Sequence, residues 1–178
     1  MTSDQPRRLI VDVHYVDSVG TAAGLLFREW NSPAADEAFV VSTKGVAPYR
    51  PGSFYLRELP CLQRLINRVA FPISTIVIDG YVTLASDQPG LGVHLWNWLN
   101  GKVPVIGVAK SAFHTTHASA RLCRGTSNRP LFISSAGMSL DEAKACIRGM
   151  HGDHRIPTLV REVDRLCRAS AQCLRTGA

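Results

Sequence analysis

The amino-acid sequence predicts an α/β fold in which a mixed β-sheet, three antiparallel strands followed by parallel strands, is flanked by helices. Three strand-like segments near the N-terminus are separated only by short turns, which favours an antiparallel meander. Two later apolar runs enclose an amphipathic segment, which is typical of parallel strands joined by a helical crossover. With 178 residues, 46% of them hydrophobic and 19% charged, the chain is expected to form a single domain spanning residues 1–178.

The three strands of the meander are predicted at residues 9–16, 20–30 and 37–43, separated by the turn-forming residues Asp17-Ser18 and Asn31-Ser32-Pro33. Successive residues of a strand point to opposite faces, so Asp12 and His14 share a face of the first strand. An ionised carboxylate among apolar residues needs a compensating partner. Asp12 is therefore a candidate functional residue.

The segment from Ser53 to Val69 has the apolar spacing of a helix, and Pro60, which suits a first turn, predicts two short helices joined near Leu59-Pro60. Further strands are predicted at 74–80, 103–109 and 129–135, and helices at 91–100, 138–150 and 157–174. Ser139 and Glu142 have the spacing of a capping box. This order of elements is the pattern of a ribonuclease H-like fold.

The chain carries 20 Lys and Arg against 14 Asp and Glu, a net charge of +6. A basic balance suits a polyanionic partner such as nucleic acid, and it suits mere solubility equally well. The five cysteines contain no C-x-x-C pair, so neither a zinc site nor a disulfide framework is indicated. No window has the roughly 20 apolar residues of a membrane span, and we expect a cytoplasmic monomer that does not bind membranes.

A second aspartate, Asp79, ends the strand S-T-I-V-I-D just before Gly80, at the carboxyl end where open α/β sheets bind ligands. The first strand and this one can be neighbours in the sheet, which would bring Asp12 and Asp79 together. Two converging carboxylates repel each other unless a cation lies between them, and Mg²⁺ is typically held by one or two carboxylates. A single Asp at a strand end is more often a turn residue, but the pair favours a functional site.

Four motifs then occur in order: V-D-V-H-Y (11–15), P-Y-R-P-G-S-F-Y-L-R-E-L-P (48–60), V-I-D-G (77–80) and P-V-I-G-V-A-K (104–110). Together they resemble the endonuclease V family, nucleases that cleave next to deoxyinosine in DNA and, in some relatives, act on inosine in RNA. The resemblance runs from about Leu9 to Asp164. It implies a divergent DNA-repair endonuclease that uses Mg²⁺, or Mn²⁺ in its place, and binds DNA or RNA with deaminated or mismatched bases.

The resemblance also implies roles for individual residues. Metal ligands would be Asp12, Glu58 and Asp79, and Lys110 would lie near the scissile phosphate, although alone it reads as an exposed lysine after a strand. A wedge that enters the duplex would be formed by Pro48, Tyr49, Arg50 and Pro51, which alone is an ordinary proline-rich loop. Gly52 and Gly80 would let the backbone approach the extruded base. Arg161 and Asp164, after R-I-P at 155–157, resemble the family's late R-L-P-E-P-T-R-x-A-D run.

The sequence departs from the family at several points. A histidine or aspartate expected beside the metal, after the late strand, is replaced by Ala136 or Gly137. Val82 stands where the family has a second glycine, and the His-Pro that follows is absent, so a base pocket is expected to be narrowed or closed. The stretch between Lys110 and Phe132 is shorter than in the family, and the helix that precedes the first strand is missing.

His14 shares a face with Asp12, and we hypothesise that it replaces the missing group as metal ligand or proton carrier. The pair His114 and His117, and the H-G-D-H run at 151–154, are weaker candidates for a metal site, and His94 reads as structural. An alternative function is a catalytically weakened module that binds nucleic acid or a partner protein. Such a module would use the wedge and a basic helix carrying Arg161, Arg165 and Arg168.

Overall fold

The computed structural model describes residues 5–48, 50–51, 53–85, 88–113 and 120–176. Apart from the two short helices expected around Pro60, the elements that the sequence predicts are present, with ends shifted by a few residues. In chain order the elements are β1 (Arg7–Val16), β2 (Val19–Phe27), β3 (Glu37–Lys44), α1 (Tyr55–Ile66), β4 (Ile73–Asp79), β5 (Thr83–Ala85), β6 (Gln88–Pro89), α2 (Leu91–Trp98), β7 (Val105–Ala109), β8 (Arg121–Leu122), β9 (Leu131–Ala136), α3 (Leu140–Arg148) and α4 (Thr158–Thr176).

Seven of these strands form one mixed sheet in the order β3-β2-β1-β4-β7-β9-β8. The first three strands pair antiparallel, whereas β4 lies parallel to both β1 and β7. The last long strand, β9, returns antiparallel to β7 and also pairs with the short β8. The mixed sheet flanked by helices is thereby confirmed. The hairpin of β5 and β6 stands apart from the sheet and, like β8, is too short to be recognised from a sequence pattern.

The prediction of two short helices around Pro60 was wrong, because α1 is one continuous helix with Pro60 inside it. Proline within a helix costs about 3 kcal/mol, since it removes one backbone hydrogen bond and crowds the preceding turn. The same helix buries Cys61, Leu62 and Leu65 against the sheet. Burial stabilises each large apolar side chain by about 1.5–3 kcal/mol, which is enough to outweigh that cost.

Apolar clusters cover both faces of the sheet. On one face Ile10 of β1 packs with α3 and α4, and on the other Leu9 and Val11 pack with α1 and α2. The central strands β1 and β4 are therefore buried on both sides, as the continuous apolar runs predict. Because these strands are packed on both faces, the backbone of the residues at their carboxyl ends is held in place.

Two further expectations concern the chain as a whole. All five cysteines are free, as the absence of paired spacing predicts. None of the helices in the described ranges combines the length and the apolar character that a transmembrane span needs.

The capping box of α3 is present as predicted. The Ser139 hydroxyl accepts a hydrogen bond from the Glu142 backbone N–H, at 3.2 Å, and a Glu142 carboxylate oxygen accepts one from the Ser139 backbone N–H, at 3.0 Å. Ser139→Ala is expected to cost about 1 kcal/mol, because the Glu142 backbone N–H loses the hydroxyl that accepts its hydrogen bond. For a chain of this size that is a fall in Tm of roughly 2–4 °C. Thermal unfolding followed by circular dichroism measures it, and an unchanged Tm would contradict the prediction.

Candidate active site

Asp12 and Asp79 lie side by side where β1 and β4 separate. The two strands pair in parallel up to Val11 and Ile78, and each aspartate is the next residue of its strand. Both aspartates line small cavities on the two faces of the sheet. The expectation that the first and fourth strands bring these carboxylates together is thereby confirmed, at the carboxyl edge where α/β sheets bind ligands.

Glu58 reaches the same point from α1. Its side chain is only 6% exposed, and it lines one of the two cavities together with both aspartates. Burial raises the pKa of Glu58 well above its ordinary value, and the charges of Asp12 and Asp79 raise it further. The amphipathic pattern of α1 explains the position, because Leu62, one turn further along, packs on the sheet and directs Glu58 to the sheet's edge.

The electrostatics of Asp12 identify a fourth carboxylate. Burial and the neighbouring charge of Asp79 raise the pKa of Asp12 from 3.8 to about 7, although the Val13 N–H donates to its Oδ1 at 2.8 Å. The charge of Asp164, on α4, raises the pKa of Asp12 as well. Asp164 itself accepts a hydrogen bond from Arg168 Nε at 3.0 Å. Its signal in the sequence was the late R-x-x-D spacing, which did not mark Asp164 as part of the site.

Lys110 follows directly after β7 and places a positive charge beside Asp79. Its Nζ donates to Asp79 Oδ2 at 2.7 Å, with both side chains partly exposed. Burial lowers the pKa of Lys110, but the hydrogen bond and the charge of Asp79 outweigh burial and leave the pKa raised. The site therefore contains one lysine among four carboxylates, and its negative charge is only partly balanced.

The donor set suits a hard divalent cation. Carboxylate oxygens are the ligands that Mg²⁺ prefers, usually one or two of them together with substrate phosphates. The raised pKa values of Asp12 and Glu58 mean that these groups lack compensating charge, which a cation would supply. Within the described ranges, no three His, Cys, Asp or Glu side chains are grouped closely enough to hold one ion by themselves. The residues thus fit an ion that is bound partly by these carboxylates and partly by a substrate phosphate.

An open pocket adjoins the carboxylates. Its walls include the aromatic residues Phe54, Tyr55 and Tyr81, and Glu58 and Asp79 form its edge. Gly80 also lines it with a φ of +121°, a conformation that side chains with a Cβ rarely adopt. His94 stacks on Tyr55 with the ring centroids 3.6 Å apart, which agrees with its interpretation as a structural residue.

Val82, from which a narrowed or closed base pocket was expected, does not line this pocket. The Val82 side chain is fully buried in the core and packs against Gly92, and Val82 is absent from the pocket walls. Its backbone N–H donates to Ser134 Oγ at 2.9 Å, which directs the side chain away from the pocket. The chain can pass so close to β7 because Gly107 has no Cβ, which would lie 2.6 Å from the Gly80 carbonyl oxygen.

Ala136 and Gly137, one of which stands where a histidine or aspartate was expected, do not lie in the site. Ala136 pairs with Val105 at the amino end of β7, whereas Lys110 follows the carboxyl end of that strand. Residues 136 and 137 are therefore at the opposite ends of the strands from Asp79. The expectation that they lie beside the metal was wrong, because β9 runs antiparallel to β7 and carries its end away. Asp164 instead provides an acidic group whose charge acts on Asp12.

The remaining candidate residues have different positions. Pro48, Arg50 and Pro51 are exposed in the loop before α1, and Arg161 is exposed on α4. His14 is partly buried on β1, opposite Thr21 of β2. In the H-G-D-H run, His151 Nδ1 lies 3.0 Å from the Thr158 hydroxyl, which gives it a structural contact. The candidates Tyr49, Gly52, His114 and His117 lie outside the described residues.

Comparison with known proteins gives a consistent result. A sequence model described as endonuclease V matches residues 5–165. Endonuclease V of Streptomyces coelicolor is 30% identical over 183 residues, covering 90% of this chain and 77% of the relative. The crystal structure of endonuclease V from Streptomyces avermitilis is similar with a TM-score of 0.76 and 26% identity, covering 97% of this chain and 84% of that one.

A structure of Ciona intestinalis endonuclease V, solved with a 24mer DNA containing an inosine followed by a ribo-adenosine, has the same fold. The TM-score is 0.78 at 17% identity, and the match covers 95% of this chain and 87% of that one.

The raised pKa of Asp12 leads to a stability prediction for the metal-free protein. Unfolded Asp12 ionises near pH 4, whereas the folded protein resists its ionisation up to about pH 7, so stability falls as pH rises between these values. Asp12→Asn keeps an acceptor for the Val13 N–H and removes the charge. It is expected to add about 1 kcal/mol at pH 8, roughly 2–4 °C in Tm, after discounting for partial exposure.

The gain should disappear at pH 4, where Asp12 of the parent protein is already protonated. Thermal unfolding in the presence of a chelator at both pH values provides the measurement. An equal change at pH 4 and pH 8 would show that the effect does not come from the carboxylate charge.

Proposed function

This chain belongs to the endonuclease V family, and on that premise we propose that it is a divalent-metal-dependent endonuclease that hydrolyses a phosphodiester near a deaminated base. The substrate would be DNA or RNA containing deoxyinosine or inosine, and the biological role would be repair. The observation that carries the proposal is the group of Asp12, Glu58, Asp79 and Lys110 beside an open pocket with aromatic walls.

Asp12, Glu58 and Asp79 are the residues that would hold Mg²⁺, or Mn²⁺ in its place. Bound there, the ion would polarise the phosphodiester and lower the pKa of a water molecule. The donor set supports this, since two of the three carboxylates have raised pKa values and need positive charge. Asp164 is the acidic group on α4 that would act with them, and the charge it exerts on Asp12 supports including it.

Lys110 would offset negative charge that develops on the phosphate during cleavage. Its ammonium group already lies 2.7 Å from Asp79 Oδ2, so a phosphate bound at these carboxylates would be within its reach. An ammonium group in that position is worth more than in water, because the surrounding strands are buried on both faces.

The pocket is proposed to receive the extruded base. Enzymes that act next to a base in duplex nucleic acid turn it out of the stack and read it in a pocket, where aromatic side chains replace the lost stacking. Phe54, Tyr55 and Tyr81 would supply that stacking, and Gly80 would let the backbone approach the base. Pro48, Tyr49, Arg50 and Pro51 would fill the vacated space, with Gly52 beside them, and Arg161 would contact phosphate.

A second candidate function is a nucleic-acid-binding module with little cleavage activity. One observation favours it: in the described part of the chain, Lys110 occupies Asp79 Oδ2 and no three acidic or histidine side chains are grouped tightly enough for an ion. If the ion pair persisted in the complex, the protein would bind its substrate without cutting it.

Cleavage of labelled 24mers, with and without one inosine, in DNA and RNA, tests the proposal. With Mg²⁺ or Mn²⁺ the inosine strand should be cut, and a chelator should abolish cutting. Asp79→Asn should lower the rate about 10²-fold or more, because one of the charges that hold the ion is lost. Asp141→Asn and Arg148→Met, both at exposed positions on α3, are the controls for loss of one negative and one positive charge, and both should cleave normally.

Binding in a salt series should survive Asp79→Asn, since phosphate contacts dominate affinity and fall steeply with salt. Binding without any cleavage by the folded, metal-supplied parent protein would reject the nuclease and favour the binding module.

Asp164 and His14 are the two candidates for the group that acts together with Asp12, Glu58 and Asp79. We expect Asp164→Asn to reduce cleavage about tenfold or more, because the negative charge beside Asp12 is lost, and His14→Ala to leave most of the activity. Single-turnover rates under saturating metal distinguish the two. A large loss in His14→Ala with little in Asp164→Asn would instead support the hypothesis that His14 is the ligand or proton carrier.

A further inference from the structure

Arg155, in the loop between α3 and α4, is bonded to the backbone that carries Lys110. Its Nη2 donates to the Lys110 carbonyl oxygen and, at 2.9 Å, to the Pro130 carbonyl oxygen. The antiparallel ladder of β7 and β9 ends with the pair Ala109 and Phe132. The guanidinium therefore joins the segments next to β7 and β9 just beyond the last pair of their ladder.

The loop that carries Arg155 is itself held firmly. Arg124 is only 6% exposed, and its guanidinium donates to the carbonyl oxygens of Met150, Gly152 and His154. One further hydrogen bond joins the two ends of the same loop: the Thr158 N–H donates to the His151 carbonyl oxygen at 2.9 Å. Arg155 thus extends from a fixed support, as a residue that positions another must.

The backbone after Lys110 is held from the opposite side by Tyr81. The Tyr81 hydroxyl donates to the Ser111 carbonyl oxygen at 2.7 Å and accepts from the Phe113 N–H at 3.1 Å. Residues 110–113 are therefore held between the loop after α3 and the segment after β4. Neither contact involves the Lys110 side chain, so both act on where its backbone lies.

This placement matters because a lysine side chain is long and flexible, with about 2 kcal/mol of rotamer entropy. Its ammonium reaches Asp79 Oδ2 only from a suitable backbone position. A displacement of about 1 Å in a catalytic group is enough to cost on the order of 10²-fold in rate.

We propose that Arg155 is a positioning residue that acts through Lys110, holding its backbone so that the ammonium group stays between Asp79 and the substrate phosphate. The cleavage consequences rest on the proposed function, whereas the backbone contact does not. Both recorded hydrogen bonds of Arg155 go from Nη2 to backbone carbonyl oxygens, so we expect its loss to lower the cleavage rate and not the affinity for nucleic acid.

The kinetic test compares four proteins: the parent, Arg155→Met, Lys110→Met and the double variant. Arg155→Met is expected to lower kcat about tenfold to 10²-fold with KM for the inosine oligonucleotide unchanged. In the Lys110→Met background the same change should cost nothing further, because there is no ammonium left to position. Arg148→Met is again the control for loss of one positive charge, and Arg155→Lys should restore part of kcat.

A second measurement does not depend on activity. Amide hydrogen exchange of the metal-free protein should speed up across residues 108–113 in Arg155→Met, and also in Tyr81→Phe, which removes only the hydroxyl. Arg148→Met should exchange in this segment like the parent.

Additive losses in the double variant, or unchanged exchange in residues 108–113 of Arg155→Met, would overturn the proposal. If the parent protein cleaves no substrate, the proposed function fails, and the exchange experiment alone decides whether Arg155 holds this backbone.

Discussion

Repulsion among carboxylates in a partly desolvated cleft is the constraint on which this molecule is organised. Asp12 and Asp79 are brought together where β1 and β4 separate, and Glu58 joins them from α1. Burial and mutual repulsion raise the pKa values of Asp12 and Glu58, which means that the folded protein holds these groups at a cost. A fold optimised only for stability would not keep acidic side chains there. The divalent cation of the proposed function would offset that cost.

The sheet makes this arrangement sustainable. Both faces of β1 and β4 are covered by apolar clusters, and burial of those side chains offsets the cost of holding carboxylates at the ends of the strands. The helices then deliver acids from opposite sides, Glu58 from α1 and Asp164 from α4. Lys110 supplies a positive charge beside Asp79. Its carbonyl oxygen accepts a hydrogen bond from Arg155, and Ser111 and Phe113, which follow it, are hydrogen-bonded to Tyr81.

Departures from the family pattern have different consequences depending on where the fold puts them. Val82 stands where the family resemblance leads us to expect a glycine, and its side chain is buried in the core and does not line the pocket. Ala136 and Gly137, where a histidine or aspartate was expected, lie at the end of β9 that is next to the amino end of β7, away from the carboxylates. Tyr81 lines the pocket, and its hydroxyl is hydrogen-bonded to the backbone of residues 111 and 113. The position of each residue in the fold therefore decides whether it faces the site.

The sequence by itself determined the order of the main elements, the mixed sheet and the pairing of Asp12 with Asp79, because alternation and apolar runs are local signals that the chain carries directly. It also determined the family, through motifs with fixed spacing. It misjudged α1, where tertiary burial outweighs the effect of Pro60, and it missed the direction of β9, Asp164 at the site and Arg155 beneath Lys110. These depend on contacts between residues distant in the chain, which only packing of the tertiary structure decides.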